Sequence, residues 1–237
     1  MKKHIKKIRE KLEEKVIYVI IPSAGVGRRM KSYGCKSLLN IKDEKLLDLQ
    51  INLINNNIPQ YEVILITGFD SERLMNSSPE DIIKIENEKY YENNVCKSIG
   101  IGLRATKGND FVLIIFGDIL LNSAVFDHID YDKSCLIISN HMSDNEVGCN
   151  IDSKGMLEYM MFDLPNKWGH IAYFTGKELS LLKKHIWGKQ SEKKFCFEVI
   201  NDIVNQGGKF KCINHKDIKI MDIDTSKDLQ KAQEFIQ

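Results

Sequence analysis

What the chain lacks narrows it first. Its apolar runs stay near strand length, well short of the roughly 20 residues that cross a bilayer, so no membrane partner is expected. Charge of one sign is not in excess. Lys and Arg number 34 against 33 Asp and Glu, and the resulting net charge of +1 gives no global field to draw nucleic acid. With only 4 prolines there is no Pro-rich linker, and neither an internal repeat nor a low-complexity segment is visible. The 6 cysteines, Cys35, Cys96, Cys135, Cys149, Cys196 and Cys212, form no CxxC pair and have no histidine at zinc-finger spacing beside them. They read as reduced, buried thiols of a cytoplasmic protein. Residues 1–15 are charged throughout and lack the apolar core of a signal peptide. Ile5, Ile8 and Leu12 fall on one side of a short charged helix there, which is expected as an extension ahead of one domain over 16–237.

What is present is an alternation of short apolar runs and helix-period segments. Strands are expected at Val16–Ile21, Glu62–Thr67, Ile82–Glu86, Phe111–Phe116, Cys135–Ser139, Val147–Ile151, Ile171–Phe174 and Lys209–Ile213. Helices are expected at Lys45–Asn56, Ser71–Met75, Lys97–Ala105, Lys177–His185, Phe195–Asn205 and Ser226–Phe235. Strongly apolar strands separated by helices imply an α/β class: one Rossmann-like three-layer domain with a mixed, mostly parallel sheet. Residues 134–174 are richer in strand and read as a β-rich cap.

The first strand opens into Pro22-Ser23-Ala24-Gly25-Val26-Gly27-Arg28-Arg29-Met30, and Lys36-Ser37-Leu38-Leu39 follows. A Gly-rich turn lets main-chain N–H groups face an anion, and Arg29 and Lys36 add positive charge. A Walker loop fails, because Cys35 stands where its glycine belongs. A dinucleotide fingerprint fails too, because Arg28, Arg29 and Met30 stand in place of the third glycine. What remains is a triphosphate cradle or a plain strand-to-helix turn with surface arginines.

Carboxylates form the second signal. Asp118 follows the strand Phe111–Phe116 at the sheet edge where ligands bind, although such a residue also serves as a helix cap. Asp222 and Asp224 alternate onto one face of an extended segment. Two carboxylates about 4 Å apart repel by roughly 4 kcal/mol at an effective dielectric near 20, and a cation removes that cost. Oxygen ligands beside phosphates favour Mg²⁺. The same acids could instead open the last helix, with Thr225 and Asp228 forming its cap. Asn93, Asn94 and Ser98 stand at a helix start, where they either read a nucleobase edge or cap the helix.

Together these motifs resemble the nucleotidyltransferases of the GT-A-like, sugar-nucleotide-transferase superfamily. Its opening signature is roughly LAAGxGxRM followed by PKxLL, and its closing one resembles Asp222-Ile223-Asp224-Thr225-Ser226-Lys227-Asp228-Leu229. Asn87 to Asn94 with Ser98 is similar to a segment of the CTP:phosphocholine cytidylyltransferases. The chain departs from these patterns at Pro22-Ser23, at Cys35 and at Gly100.

The resemblance implies the nucleotide-diphospho-sugar transferase fold with an acceptor-binding β-rich region. It implies a phosphate cradle of Ala24, Gly25, Val26 and Gly27, phosphate contacts from Arg29 and Lys36, and Mg²⁺ on Asp118, Asp224 and Asp222. Gly68, Asn94 and Ser98 would lie near the base. The expected reaction is transfer of CMP from CTP to a small phosphorylated or phosphonate acceptor, with release of pyrophosphate. A sugar-1-phosphate enzyme using UTP, GTP or dTTP is the alternative, and a silent nucleotide-binding protein is the third reading. A homodimer is left open. The acceptor site is sought between Ser139 and Phe174. Trp168 and Tyr173 are candidates for cation–π contact with an ammonium, unless they belong to the core, and Glu158, Asp163 and Glu198 are candidate acids.

Overall fold

The structure, a computed structural model, describes residues 16–27, 33–108, 111–139, 142 and 146–235. The helix expected within 1–15 lies outside them. Strand β1 (Ile17–Pro22) is buried along its whole length. It lies between two parallel neighbours, β4 (Tyr61–Thr67) and β6 (Phe111–Ile115), and β5 (Ile83–Glu86) continues the parallel set beyond β4. A strand covered on both faces has no solvent side to alternate with, so it appears in sequence as a continuous apolar run.

Side chains still divide by parity. Ile17, Val19 and Ile21 join one core cluster with Leu47 and Ile54 of helix α1 (Leu46–Asn57) and Leu74 of α2 (Ser71–Ser77). Tyr18 and Ile20 join the other, with Ile99 and Leu103 of α3 (Val95–Ala105), Leu182 of α5 (Gly176–Ile186) and Val199 of α6 (Cys196–Asn205). Each fully buried aliphatic side chain contributes roughly 1.5–3 kcal/mol, so this double-sided packing fixes β1 at the centre of three layers.

The other half of the sheet is antiparallel. β11 (Asn166–Phe174) lies against β6 and also pairs with β8 (Cys135–Ile138) and β9 (Val147–Ile151). β10 (Leu157–Phe162) extends beyond β9, and β12 (Lys211–Ile213) runs parallel to β8. The order β10-β9-β11-β6-β1-β4-β5 thus makes the strand-rich segment continuous with the central sheet. Between them, β7 (Ile119–Leu121) and β13 (Ile220–Asp222) form a separate two-stranded ribbon, and β2 (Asn40–Ile41) pairs with β3 (Glu44–Lys45). A small third cluster of Leu39, Ile41, Leu120, Ile223 and Ala232 joins these ribbons to the last helix, α7 (Ser226–Phe235). No helix of the described residues is long and apolar enough to cross a membrane.

All eight expected strands and the six helices expected within the described residues are found, with ends shifted by up to five residues. The structure adds β2, β3, β7, β10, β13 and the short helix α4 (Ala124–His128). β10 eluded the period-2 reading because a register shift between Leu157 and Tyr159 breaks its alternation, leaving Tyr159, Met161 and Phe162 exposed. β7 and β13 have three residues each and carry too few positions to show a period.

Candidate active site

The site forms where β1 and β6 end side by side. Ser23 N–H donates to the Ile66 carbonyl at 2.8 Å, and Phe69 N–H donates to the Ala24 carbonyl at 3.1 Å, so the Gly-rich turn is stitched to β4. Gly68 makes that approach possible. A Cβ there would stand 2.8 Å from both Ala24 Cβ and Tyr90 Cβ. On the other side, Ser37 Oγ donates to the Gly117 carbonyl at 2.8 Å and lies 2.9 Å from Ser23 Oγ. A Cβ on Gly117 would come within 2.0 Å of Ser23 Oγ. Ser23, which departs from the family's signature, is therefore part of a buried hydroxyl pair that locks β1, the 3₁₀ turn Lys36–Leu38 and the end of β6 together.

A cavity of about 240 Å³ opens over this junction. Ala24, Gly25 and Gly27 line it on one side, Asn93, Asn94 and Ser98 on another, with Lys36 and Asp118 at its floor. Val26 lies between the two glycines in the same turn. The amide network is shared between roles. Asn87 Nδ2 donates to Asn93 Oδ1 at 2.9 Å and to Ser98 Oγ at 3.1 Å, while Asn94 Oδ1 accepts from Val95 N–H at 2.8 Å and so caps α3. Cys35 is buried beside the turn, and burial pushes its thiol up. Arg29 lies outside the described residues.

Lys36 reaches Asp118 at 3.0 Å and also bonds Asp224. Burial opposes its positive charge, but the two carboxylates outweigh that, and its pKa is raised. Asp118 is lowered in spite of burial, through Lys36 and His170. One carboxylate oxygen each from Glu146, Asp222 and Asp224 lie within 4.8 Å of one another. Burial, reinforced by the charges of Glu146 and Asp224, pushes Asp222 up to about 6. Of the three acids expected to hold a metal, Asp222 and Asp224 thus gather with Glu146, and Asp118 joins them across the Lys36 ammonium.

Glu146 and His170 were not among the expected residues. His170 Nε2 lies 3.0 Å from Glu146 Oε2. Burial disfavours its charged form, but Glu146, Asp118 and Asp222 outweigh this and raise its pKa. Its backbone sits at φ 56°, where β11 shifts register between Trp168 and Ile171. Such a bulge turns a side chain out of strand alternation, at a strain cost on the order of 1 kcal/mol. The ring stacks on Phe116 with centroids 5.0 Å apart. The pair Gly169-His170 inside an otherwise apolar stretch was the available signal. Glu146 belongs to a loop and carried none.

The candidates for acceptor contact are dispersed. Trp168 is 2% exposed and donates from Nε1 to the Ile171 carbonyl at 3.1 Å. Tyr173 is fully buried, with its hydroxyl on the Tyr131 carbonyl at 3.0 Å. Both are core residues without a face to offer a ligand. Glu198 accepts from Phe195 N–H at 2.7 Å, at the start of α6. Glu158 is exposed and pairs with Asn150, and Asp163 sits at φ 66° in the turn after β10.

Residues 19–129 match the MobA-like NTP transferase domain. No curated protein sequence matches the chain. Among solved structures, it is similar to a CTP:phosphocholine cytidylyltransferase from Streptococcus pneumoniae, at 16% identity and TM-score 0.76, over 94% of this chain and 100% of that one. It is similar to an inositol-1-phosphate CTP transferase from T. maritima, at 16% identity and TM-score 0.74, over 94% and 95%. A putative glucose-1-phosphate thymidylyltransferase from Bacillus anthracis is similar at 14% identity and TM-score 0.75, over 92% and 94%. The match to an NTP transferase domain thus covers residues 19–129, and the chain shares the mixed, mostly parallel three-layer fold of these nucleotidyltransferase structures.

Proposed function

We propose that the protein is a cytidylyltransferase that moves CMP from CTP to a small phosphorylated acceptor. The observation that carries this is the meeting of Asp118 and Asp224 at the Lys36 ammonium, beneath a cavity walled by the Gly-rich turn and by Asn93, Asn94 and Ser98. Amide groups carry donor and acceptor side by side, which suits the amino and carbonyl edge of cytosine. The likeness to two CTP-using structures supports the same base.

Turn N–H groups from Ala24 to Gly27 would cradle the triphosphate, and Lys36, with Arg29, would neutralise it. A phosphate acceptor is already anionic near neutral pH, so the chain's task is to overcome repulsion between two anions and align them in line with the α-phosphorus. No side chain is needed as general base.

The donor set fits a divalent ion. Glu146, Asp222 and Asp224 are all oxygen ligands crowded within 4.8 Å, and the pKa of Asp222 is raised by burial first and by the charges of Glu146 and Asp224 after it. Such ligands beside phosphates favour Mg²⁺, held by Asp224 with Asp222, Asp118 or Glu146. When bound, the ion offsets phosphate charge and polarises a phosphoryl oxygen.

A sugar-phosphate acceptor is the second reading. It is favoured by the burial of Trp168 and Tyr173, which removes the aromatic residues proposed to hold a choline-like ammonium. Pyrophosphate release across CTP, UTP, GTP, dTTP and ATP, each with phosphocholine, inositol-1-phosphate and glucose-1-phosphate, separates the readings. Preference for CTP is expected. Release with another nucleotide alone overturns the cytidylyl assignment, and triphosphate binding without release under any pairing overturns the catalytic one.

A further inference from the structure

A second cluster of ligating side chains stands away from this site. We propose that His128, His215 and Asp217 bind a borderline transition-metal ion of the Zn²⁺ class. His128 closes α4, whereas His215 and Asp217 share the loop between β12 and β13. The two imidazoles stack with centroids 3.9 Å apart and planes 30° apart. His215 Nδ1 lies 3.5 Å from Asp217 Oδ2. One ring nitrogen from each histidine and one carboxylate oxygen all lie within 4.8 Å of one another. At Zn–N lengths near 2.0–2.1 Å, tetrahedral ligand atoms stand about 3.4 Å apart, so modest side-chain rotations bring the three donors onto an ion.

The backbone that carries these donors is already fixed. Ile218 N–H donates to the His215 carbonyl at 3.0 Å, closing a tight turn around buried Ile218. Asn122 clamps the same loop twice, donating from Nδ2 to the Asp217 carbonyl at 2.8 Å and accepting from Lys219 N–H at 3.0 Å. Little chain ordering is left to oppose binding.

Chemistry and position both separate this cluster from the acid cluster. Two imidazoles with one carboxylate select a Zn²⁺-like ion, whereas the all-carboxylate group suits Mg²⁺. The β7–β13 ribbon lies between them. Asp222 pairs with Ile119 at its inner end, and Lys219 bonds Asn122 beyond its outer end, three residues or roughly 10 Å away. His128 also lines a cavity of about 850 Å³ with Asp130, Lys133 and Lys211.

Titration of the metal-free protein with Co²⁺ under saturating Mg²⁺ tests the site, read by ligand-field absorption and by competition with Zn²⁺. One equivalent is expected to bind, with affinity reduced at least tenfold in His128→Gln and in His215→Gln. Asp217 is exposed, so Asp217→Ala keeps the fold and should weaken binding severalfold. Asp224→Asn should leave the signal in place. Absence of Co²⁺ binding, or binding unchanged in both His215→Gln and Asp217→Ala, overturns the proposal.

Discussion

The parallel and antiparallel halves of the sheet bring polar groups to the same place by different means. On the parallel side, β1, β4 and β6 end at one edge, and the turns leaving them meet through backbone contacts: Gly68 against Ala24, and Gly117 against Ser23 and Ser37. On the antiparallel side, Glu146 arrives from a loop and His170 from a bulge in β11. In the first half the direction of a strand already says which end bears ligand groups. In the second, a one-residue change of register moves a side chain from site to core. That is why Asp118 falls at the site while Tyr173, on the same strand as His170, is buried against Tyr131.

The largest effects should come from breaking the junction where the halves meet. Lys36→Met and Asp118→Ala are each expected to lower turnover by roughly 10²–10³, or about 2.7–4 kcal/mol of transition-state stabilisation, with the unfolding transition retained. Steady-state pyrophosphate release checks this. Near-normal rates in either variant would remove that residue from the chemistry. Gly117→Ala should act on stability instead. Its Cβ meets two buried hydroxyls that also hold the 3₁₀ turn, so a loss of about 3 kcal/mol in denaturant unfolding is expected. A neutral outcome would mean that this junction is looser than the contacts imply.

The same contrast governs how much could be read from residue order alone. The run Ile17–Ile21, the turn after it, Lys36 and Asp118 were legible because a doubly buried strand and its exit turn are local features. The pair Asp222 and Asp224 was legible by alternation. Glu146 was not, because nothing near it in sequence places its loop against β13. Trp168 read either as a ligand-facing aromatic or as a core residue, and it is a core residue, with its indole N–H satisfied within its own strand by Ile171, a consequence of the bulge that no period reveals. Glu198 read as a helix-face acid and a candidate for the acceptor, because its cap partner is a backbone N–H, which sequence does not display.

Asp222 tests how the acids of both halves are balanced. Its folded-state pKa is raised from 3.8 to about 6, so ionising it costs more in the folded chain than in the unfolded one. The penalty is absent below pH 3.8, grows as pH rises through the interval to 6, and is complete above it. Asp222→Asn should therefore be more stable than the parent by about 2 kcal/mol at pH 8 without metal, and equal to it near pH 3.5. The order should invert when Mg²⁺ is added, because the parent then gains a ligand that the variant has lost. Thermal unfolding at the two pH values, with and without Mg²⁺, gives all the comparisons. A stability difference that ignores pH would show that the crowding of Glu146, Asp222 and Asp224 is not electrostatic in origin.

The smallest expected effect decides whether the antiparallel half reaches the acceptor through α6. Glu198 accepts the Phe195 N–H in a capping arrangement, and helix caps contribute about 1 kcal/mol. If capping is its whole role, Glu198→Ala lowers stability by about that amount and leaves the acceptor KM and the turnover within twofold of the parent. If the carboxylate instead meets the acceptor, the acceptor KM rises well beyond what lost stability produces, and Glu198→Gln, which keeps an acceptor oxygen for the Phe195 N–H, restores the stability but not the KM. The Gln variant is the sharper probe, since capping depends on the oxygen and recognition of a cationic acceptor depends on the charge.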